Sequence, residues 1–420
     1  MAFINIIFDS KKREKMAFFD DLETRSSDQR STENAALLKG ILNLAVNLDG
    51  YKAAFGSVDF SIFKSLEDLP SLPVLRKSDL SQKQVKGNLL GGFSAKKPFN
   101  FAHIFQSPGP IYEPGGISHD WWRIGRFLHA LNIGKGDIVQ NCFSYHLTPA
   151  GMIFESGARA VGAAVVPAGV GQTELQVRAA SDIGSNVYSG TPDYLKIIMD
   201  KADEMGEKLS FNRAAVGGGA LFPSLRQEYA DRGIVCRQNY ATADLGNVAY
   251  ESEALDGMIV DEGVIVEIVT PGTGNPVPIG EVGEVVVTSL NADYPLIRFA
   301  TGDLSAFMEG ESPCGRTNIR IKGWMGRADQ TTKIKGLFVR PEQVADLVSS
   351  HKDIQRARII ATREGEMDAM TVKIETDHQD PSAFDKSITS TLKLKGNVEL
   401  VSPGSLPRDG VVIEDLREYD

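Results

Sequence analysis

Between about residues 100 and 235, short apolar runs alternate with amphipathic stretches, and this alternation limits the possible folds more than any other feature of the chain. The runs at 138–143 and 162–167 have the length and character of buried strands, whereas the stretch at 121–131 places apolar residues at helical spacing. Strands and helices in alternation predict a parallel sheet covered by helices on both faces. We therefore expect an α/β protein.

The character of the sequence changes along the chain. Residues up to about 85 are mostly polar with helical patterning, and from about 255 to 310 short β runs separated by Gly and Pro predict an antiparallel sheet or a β-barrel-like part. After about residue 328, a helix at 341–350 and strands near 358–361 and 370–374 predict a small α+β unit. A chain of 420 residues exceeds what one core usually organises, so we expect a large N-terminal domain at 1–328 and a small C-terminal domain at 329–420.

Composition excludes some classes of function. The net charge of -10 argues against a nucleic-acid surface, because phosphate backbones require clustered Lys and Arg, and an anionic substrate would require a locally positive pocket. The sequence contains no apolar run of about 18 residues and no secretory signal pattern, so we expect a cytoplasmic protein without a membrane partner. The three cysteines, Cys142, Cys236 and Cys314, have no metal-ligand spacing and are expected to be small buried thiols.

Four segments, in chain order, carry motifs that are weak singly and specific together. They are V-G-G-G-A-L-F-P at 216–223, N-Y-A-T-A-D at 239–244, Y-P-L-I-R-F-A-T-G-D-L at 294–304 and G-R-A-D-Q-T-T-K-I-K-G at 326–336. Together they resemble the phenylacetate-CoA ligases of the adenylate-forming acyl-CoA synthetase superfamily. The resemblance implies a large domain and a mobile C-terminal lid. It further implies a ligase that uses ATP and magnesium to convert an aryl or similar carboxylic acid into an acyl-adenylate, and then transfers the acyl group to CoA.

The resemblance also assigns roles to charged residues. Asp303 is expected to accept hydrogen bonds from the ribose hydroxyls, Arg327 to contact the nucleotide, and Asp329 to be the hinge about which the lid rotates. Arg298, Arg327 and Asp244 are the expected catalytic residues, and Asp244, in place of a family Glu, is also the expected metal ligand. Three of these residues have a simpler alternative: a solvated turn for Asp303, a surface charge for Arg327, and a structural ion pair for Arg298.

The remaining nucleotide contacts are expected near two strand ends. Tyr240 would offer an aromatic face to adenine, Ala241 and Thr242 would follow it in the same loop, and the flexible turn of Gly217, Gly218 and Gly219 would let the backbone approach the base. A buried core tyrosine is the simpler interpretation of Tyr240.

A carboxylic-acid pocket is expected in the loops that follow the strand-like runs, because open α/β sheets bind ligands there. Tyr145, His146 and Gly171 are the candidate substrate-binding residues, although His146 is more readily explained as an ordinary polar loop residue. The sequence leaves the oligomeric state open, and a homodimer is compatible with it.

Three features depart from the family pattern. At 107–114 the sequence S-P-G-P-I-Y-E-P stands where the family has S-S-G-T-T-G-K-P, so prolines remove N–H donors and Glu113 replaces a phosphate-binding Lys. Val411 stands where the family has a Lys that enters the site during adenylation. Only Cys314 remains of the residues that form a zinc site in some relatives, so zinc is not expected. The alternative to a ligase is therefore a catalytically impaired homologue that binds AMP, acyl-adenylate or acyl-CoA as a sensor or partner subunit.

Overall fold

The computed structural model of the protein describes residues 18–56, 58, 63–219, 221–328, 330–364, 367–407 and 411–417. The α-helices are α1 (Ser27–Ala45), α2 (Asp49–Phe55), α3 (Lys77–Lys83), α4 (Gly125–Ala130), α5 (Ala150–Ala160), α6 (Thr173–Ile183), α7 (Pro192–Met205), α8 (Pro223–Asp231), α9 (Pro341–Ser349) and α10 (Asp385–Leu392). The first strands are β1 (Leu75–Arg76), β2 (His103–Ser107), β3 (Ile111–Gly115), β4 (Ile138–Asn141), β5 (Ala164–Val166), β6 (Val187–Gly190), β7 (Arg213–Val216), β8 (Val235–Thr242), β9 (Gly246–Glu251) and β10 (Met258–Val260). They are followed by β11 (Val264–Val269), β12 (Gly283–Ser289), β13 (Phe299–Ser305), β14 (Phe307–Met308), β15 (Arg320–Ile321), β16 (Thr332–Ile334), β17 (Leu337–Val339), β18 (Arg356–Glu364), β19 (Met367–Glu375), β20 (Asn397–Val401) and β21 (Ile413–Asp415). In these ranges, no helix is both long and apolar enough to cross a membrane.

The largest sheet confirms the predicted α/β class. Its nine strands have the order β14-β15-β10-β9-β8-β7-β6-β4-β5, and the five strands from β8 to β5 run parallel. Successive side chains of a strand point to opposite faces, so Ala214 and Val216 enter one apolar cluster and Ala215 enters another. The sheet is therefore covered on both faces, as the alternating pattern predicts.

Two predicted elements differ in extent. The helix expected at 121–131 begins only at Gly125, because the tryptophans at 121 and 122 lie in a turn ahead of it. The run at 162–167 forms the edge strand β5 and is not fully buried: within β5, Ala164 is exposed, and Val165 and Val166 are half-buried.

The part expected to be barrel-like is an open sheet. Its four strands have the order β1-β13-β12-β11, and no ladder among the described residues joins β1 to β11. The strand β1 comes from the N-terminal segment and pairs in parallel with β13, Leu75 opposite Phe299 and Arg76 opposite Ala300. This pairing places the residues that follow β1, at the start of α3, beside the middle of β13.

The C-terminal residues form the predicted small α+β unit. Strands β20-β19-β18-β21 make one sheet, and α9 and α10 pack on it around a separate apolar core. Helix α9 begins at Pro341, whose fixed φ and missing N–H suit the first helical position.

Candidate functional site

A cavity of about 860 Å³ lies where β13, the start of α3 and the segment from β17 to α9 meet. Its cationic lining residues are Arg76, Lys77, Arg327 and Arg340, and its acidic lining residues are Asp79 and Glu284. The volume is in the range of ligand and cofactor pockets. In a chain with a net charge of -10, this is the locally positive pocket that an anionic ligand requires.

Asp303 lies on β13 directly after the two cavity-lining residues Thr301 and Gly302. Its Oδ1 accepts hydrogen bonds from Trp324 Nε1 at 3.1 Å and Arg327 Nη1 at 2.9 Å, and its Oδ2 accepts one from the Tyr240 hydroxyl at 2.9 Å. A carboxylate has about four acceptor positions, so these three donors leave room for another hydroxyl. The carboxylate is held by protein donors and is not a freely solvated turn residue.

Arg327 lies antiparallel to Asp303 through an isolated bridge, and its side chain is 55% exposed. Gly302 has a φ of +73°, and a Cβ there would approach Arg327 Nη2 to 2.7 Å. The positive φ favours glycine at 302, whereas a Cβ there would require only a shift of the flexible Arg327 side chain. The geometry brings Asp303 and Arg327 together beside the cavity, and their roles toward a nucleotide stay predictions.

The stacking role expected of Tyr240 does not agree with the structure. The side chain is 7% exposed and belongs to the apolar core, and its hydroxyl donates to both Thr301 Oγ1 and Asp303 Oδ2. Burial raises the pKa of this phenol, and the nearby Asp303 carboxylate raises it further. Tyr240 thus orients Asp303 from behind and offers little aromatic face to a base.

The glycine turn and the end of β8 lie side by side at the carboxyl edge of the parallel sheet. A Cβ on Gly217 would lie 2.4 Å from Asn239 Oδ1, so β7 and β8 can approach here only with glycine. Gly218 has a φ of +67°, and Gly218 and Gly219 are exposed. Ala241 and Thr242 end β8, where Thr242 Oγ1 accepts a hydrogen bond from the Leu245 N–H at 3.1 Å.

Asp244 is buried beside a lysine that the sequence motifs did not indicate. Its Oδ2 pairs with Lys77 Nζ at 2.9 Å, and its Oδ1 has no hydrogen-bond partner in the described part of the chain. Glu113 is 1% exposed, and the Ser107 hydroxyl donates to its Oε1. Burial raises the pKa of Glu113 to about 7, with a further contribution from Asp244, while Lys77 acts in the opposite direction. Lys77 therefore forms an ion pair with one buried carboxylate, Asp244, and acts electrostatically on a second buried carboxyl group, Glu113.

Lys77 could be found only from the fold. No motif contains it, and it reaches the site because β1 pairs with β13, more than two hundred residues later in the sequence. Trp324 was missed for a similar reason: it precedes the glycine–arginine motif, and its indole contact with Asp303 requires the chain to turn back onto β13.

Arg298 is in the structural ion pair that was its alternative role, and the catalytic role expected for it is corrected. The side chain is 1% exposed, and Nε and Nη2 pair with the two carboxylate oxygens of Glu267 at 2.9 and 3.0 Å. Its remaining donors reach the backbone carbonyls of Pro70, Leu72 and Gly274. The guanidinium is fully used in tying β13 to neighbouring loops, so we leave Arg298 out of the candidate catalytic set.

The three residues expected at an acid pocket lie in loops after β4 and β5, which are neighbouring strands. The Tyr145 hydroxyl accepts a hydrogen bond from Asn141 Nδ2 at 2.7 Å, and the Gly171 carbonyl accepts from Gln176 Nε2 at 2.8 Å and from the Tyr194 hydroxyl at 2.9 Å. His146 is exposed. These contacts fix the loops by hydrogen bonding.

Phe143 connects this region to the glycine turn and was not singled out from the sequence. A Cβ on Gly218 would lie 3.7 Å from its ring, and the ring stacks on Phe154 at 4.2 Å between centroids. This buried aromatic pair therefore packs against the turn that is expected to approach the nucleotide.

The predicted hinge residue Asp329 lies outside the described residues. Its neighbour Gln330 accepts hydrogen bonds through Oε1 from the backbone N–H groups of Val412 and Ile413. Val411 lines a second cavity of about 280 Å³ between the loop after β11 and the small unit.

Comparison with known proteins gives a consistent result. Residues 336–413 match the family model of the AMP-binding enzyme C-terminal domain. The chain is 30% identical over 336 residues to a phenylacetate-coenzyme A ligase from Thermus thermophilus, covering 76% of this chain and 74% of that protein. It is 27% identical to the phenylacetate-coenzyme A ligase of Escherichia coli, covering 93% and 94%.

Among solved structures, the fold is similar to that of 2-hydroxyisobutyryl-CoA ligase in the postadenylation state in complex with R3-HIB-AMP. The TM-score is 0.72 at 22% identity, and the alignment covers 96% of this chain and 94% of the other. A structure of the same ligase in an open conformation with 2-HIB-AMP and CoA gives a TM-score of 0.70, covering 92% and 91%. At this level of identity the likeness shows the fold, and it supports the α/β architecture with a small C-terminal part.

Proposed function

Because the chain belongs to the phenylacetate-coenzyme A ligase family, we propose that it is an AMP-forming carboxylate-CoA ligase. Its substrate would be an aryl or similar carboxylic acid. The carboxylate oxygen attacks the α-phosphorus of ATP, the bond to the bridging oxygen breaks, and pyrophosphate leaves with the electron pair. The CoA thiol then attacks the acyl carbon and loses its proton, and AMP leaves as the C–O bond breaks.

The observation that carries this proposal is the ion pair of Asp303 with Arg327, which Tyr240 supports and which adjoins the 860 Å³ cavity through Gly302 and Arg327. A nucleotide needs an anchored acceptor for its ribose hydroxyls and a cation for its phosphate, both held before the substrate arrives. Asp303 is anchored by Tyr240 from behind, and the half-exposed Arg327 can move toward a phosphate while remaining near the carboxylate.

The two-domain division is also a proposal. A small unit with its own apolar core, beginning after about residue 328, suits a lid that rotates between the two half-reactions. Phe338 and Arg340 lie on the lid side of the cavity, so a rotation would change the wall that faces the nucleotide.

Asp244 is the residue that would hold magnesium. Its buried Oδ1 accepts no hydrogen bond within the described residues, and a hard cation prefers such a carboxylate oxygen. In that same part of the chain, no group of three or more His, Cys, Asp or Glu residues is arranged to hold a metal. The remaining ligands would come from phosphate oxygens and water, as is usual for magnesium, which offsets phosphate charge when bound.

For the acid, the proposed pocket includes Tyr145, His146 and Gly171 together with Phe143. The choice of an aryl acid follows the phenylacetate-coenzyme A ligases that the chain resembles, and the buried Phe143 contributes apolar packing beside Gly218. The curated relatives are named as ligases, so the comparisons give no support to the binding-only alternative.

The test is an exchange of labelled pyrophosphate into ATP with a panel of aryl and alkyl acids, followed by thioester formation with CoA. We expect exchange with at least one aryl acid and its loss in Asp303→Asn. Binding of AMP without exchange for any acid would replace this proposal with the binding-only function.

A further inference from the structure

The hairpin of β2 and β3 occupies the place of a phosphate-binding loop but has few groups to bind a phosphate. Ser107 pairs with Ile111, so only residues 108–110 remain in the turn. Two of these three are prolines, which have no N–H to donate. A polyphosphate therefore needs another source of positive charge.

Glu113 does not direct its charge at the cavity. It is 1% exposed, the Ser107 hydroxyl donates to its Oε1, and it is absent from the cavity lining. Its electrostatic neighbours are Asp244 and Lys77. The Glu113 carboxyl group is therefore buried away from the cavity lining.

Lys77 is the cation that lies between these acids and the cavity. Its Nζ pairs with Asp244 at 2.9 Å, and its side chain is 38% exposed. It shares the cavity wall with Thr301 and Gly302, next to the Asp303 carboxylate. The partial exposure and the place of Lys77 in the cavity lining leave its side chain accessible to an anionic ligand in the cavity.

We propose that Lys77 binds the leaving pyrophosphate end of ATP in place of the phosphate-loop lysine. The inference rests on the proposed function. The electron pair of the broken phosphorus–oxygen bond remains on pyrophosphate, and the ammonium group of Lys77 offsets its charge.

The test is calorimetric binding of ATP and of AMP to the full chain. Lys77→Met should weaken ATP binding by about 10- to 100-fold, the loss expected for one charge-assisted hydrogen bond. AMP binding should change less than about threefold, because AMP lacks the groups that Lys77 contacts. Lys77→Arg should keep most of the ATP affinity, and Lys86→Met, at an exposed lysine outside the cavity, should change neither.

A second variant, Lys77→Gln, removes the charge but keeps N–H donors for the buried Asp244, so it should fold even where Lys77→Met is unstable. A loss of ATP affinity of at least about tenfold, with AMP affinity unchanged to within about threefold, supports the assignment.

Two results would overturn the assignment. One is Lys77→Met binding ATP as tightly as the unaltered chain, and the other is an equal loss for ATP and AMP. Binding of AMP without binding of ATP by the unaltered chain would also count against it. Failure of the proposed ligase activity looks different, because ATP then binds through Lys77 while no acid supports pyrophosphate exchange.

Discussion

Two segments that the motifs assign to the nucleotide differ in how closely they follow the family pattern. Asp303, on β13, and Arg327, which bridges to it, have the residue types that the motif requires and form a direct ion pair at 2.9 Å. In the β2–β3 hairpin, which does not line the cavity, prolines replace donors and Glu113 is buried against Ser107. The proposed ribose end of the site therefore matches the motif, whereas our proposal assigns the polyphosphate end to Lys77.

This difference shows that a motif describes the residues of one segment, whereas the net charge at a site depends on every segment that contributes a side chain to it. From 107–114 alone, a missing lysine and an added glutamate predict a site that repels phosphate. The folded chain brings Lys77 to Asp244 through the pairing of β1 with β13, so the positive charge is present.

The largest effect, a loss of stability, is expected at Arg298, which was predicted to be catalytic but forms a structural ion pair. Arg298→Met leaves Glu267 buried without its partner, and such a loss typically costs about 3–5 kcal/mol. Thermal or denaturant unfolding should show a large fall in stability. The matched control is Arg327→Met, whose exposed ion pair should change stability by less than about 1 kcal/mol. A stable Arg298→Met protein with lost activity would return Arg298 to the catalytic set.

The second prediction concerns pH and the hairpin. Because burial raises the pKa of Glu113 to about 7, from an ordinary value of 4.5, ionisation is disfavoured in the folded state. The folded chain should lose stability relative to Glu113→Gln as pH rises from about 4.5 to 7, reaching at most about 3 kcal/mol above that range.

The measurement is the unfolding free energy of both proteins from pH 4.5 to 8.5, with a chelator present. The two curves should converge at the acid end. A constant difference across this range would mean that Glu113 remains ionised beside Lys77 and that Lys77 outweighs burial.

The sequence predicted the larger architecture, because the alternation of apolar runs is a local pattern that requires the parallel sheet. The Thr-Gly-Asp segment is also a local pattern and singled out Asp303 on β13, whose role toward a ribose stays a prediction. Tyr240 was misjudged because the same aromatic ring can face a ligand or a core, and β8 turns it inward. Two features could not be read from local patterns: the open sheet in place of a barrel, and the position of Lys77. Both depend on the pairing of β1, at the edge of the sheet, with the distant strand β13.

The third prediction concerns Asp303 and the affinity for AMP at the proposed ribose end of the site. Asp303→Asn should weaken AMP binding roughly 30- to 100-fold, about 2 to 3 kcal/mol, since an ionised acceptor of the ribose hydroxyls is lost. Asp353→Asn, at an exposed position outside the cavity lining, is the control and should bind AMP normally. Unchanged AMP affinity in Asp303→Asn, in a protein that melts normally, would place the nucleotide elsewhere.

The smallest effect is expected where the hairpin has lost its backbone donors. With one cation and few N–H groups at the polyphosphate end, the affinities of the unaltered chain for ATP and AMP should differ by less than about tenfold. Replacing Pro108 and Pro110 by Ser returns two N–H groups, each worth about 1 kcal/mol where it forms a hydrogen bond. ATP affinity should therefore rise by about 5- to 10-fold, while AMP affinity should stay constant. Pro278→Ser, at an exposed proline outside the site, controls for general effects of removing proline. The contradicting result is that the unaltered chain binds ATP more than tenfold more tightly than AMP. Lys77 alone would then compensate for the hairpin, and the two ends of the proposed site would differ in residue type but not in binding strength.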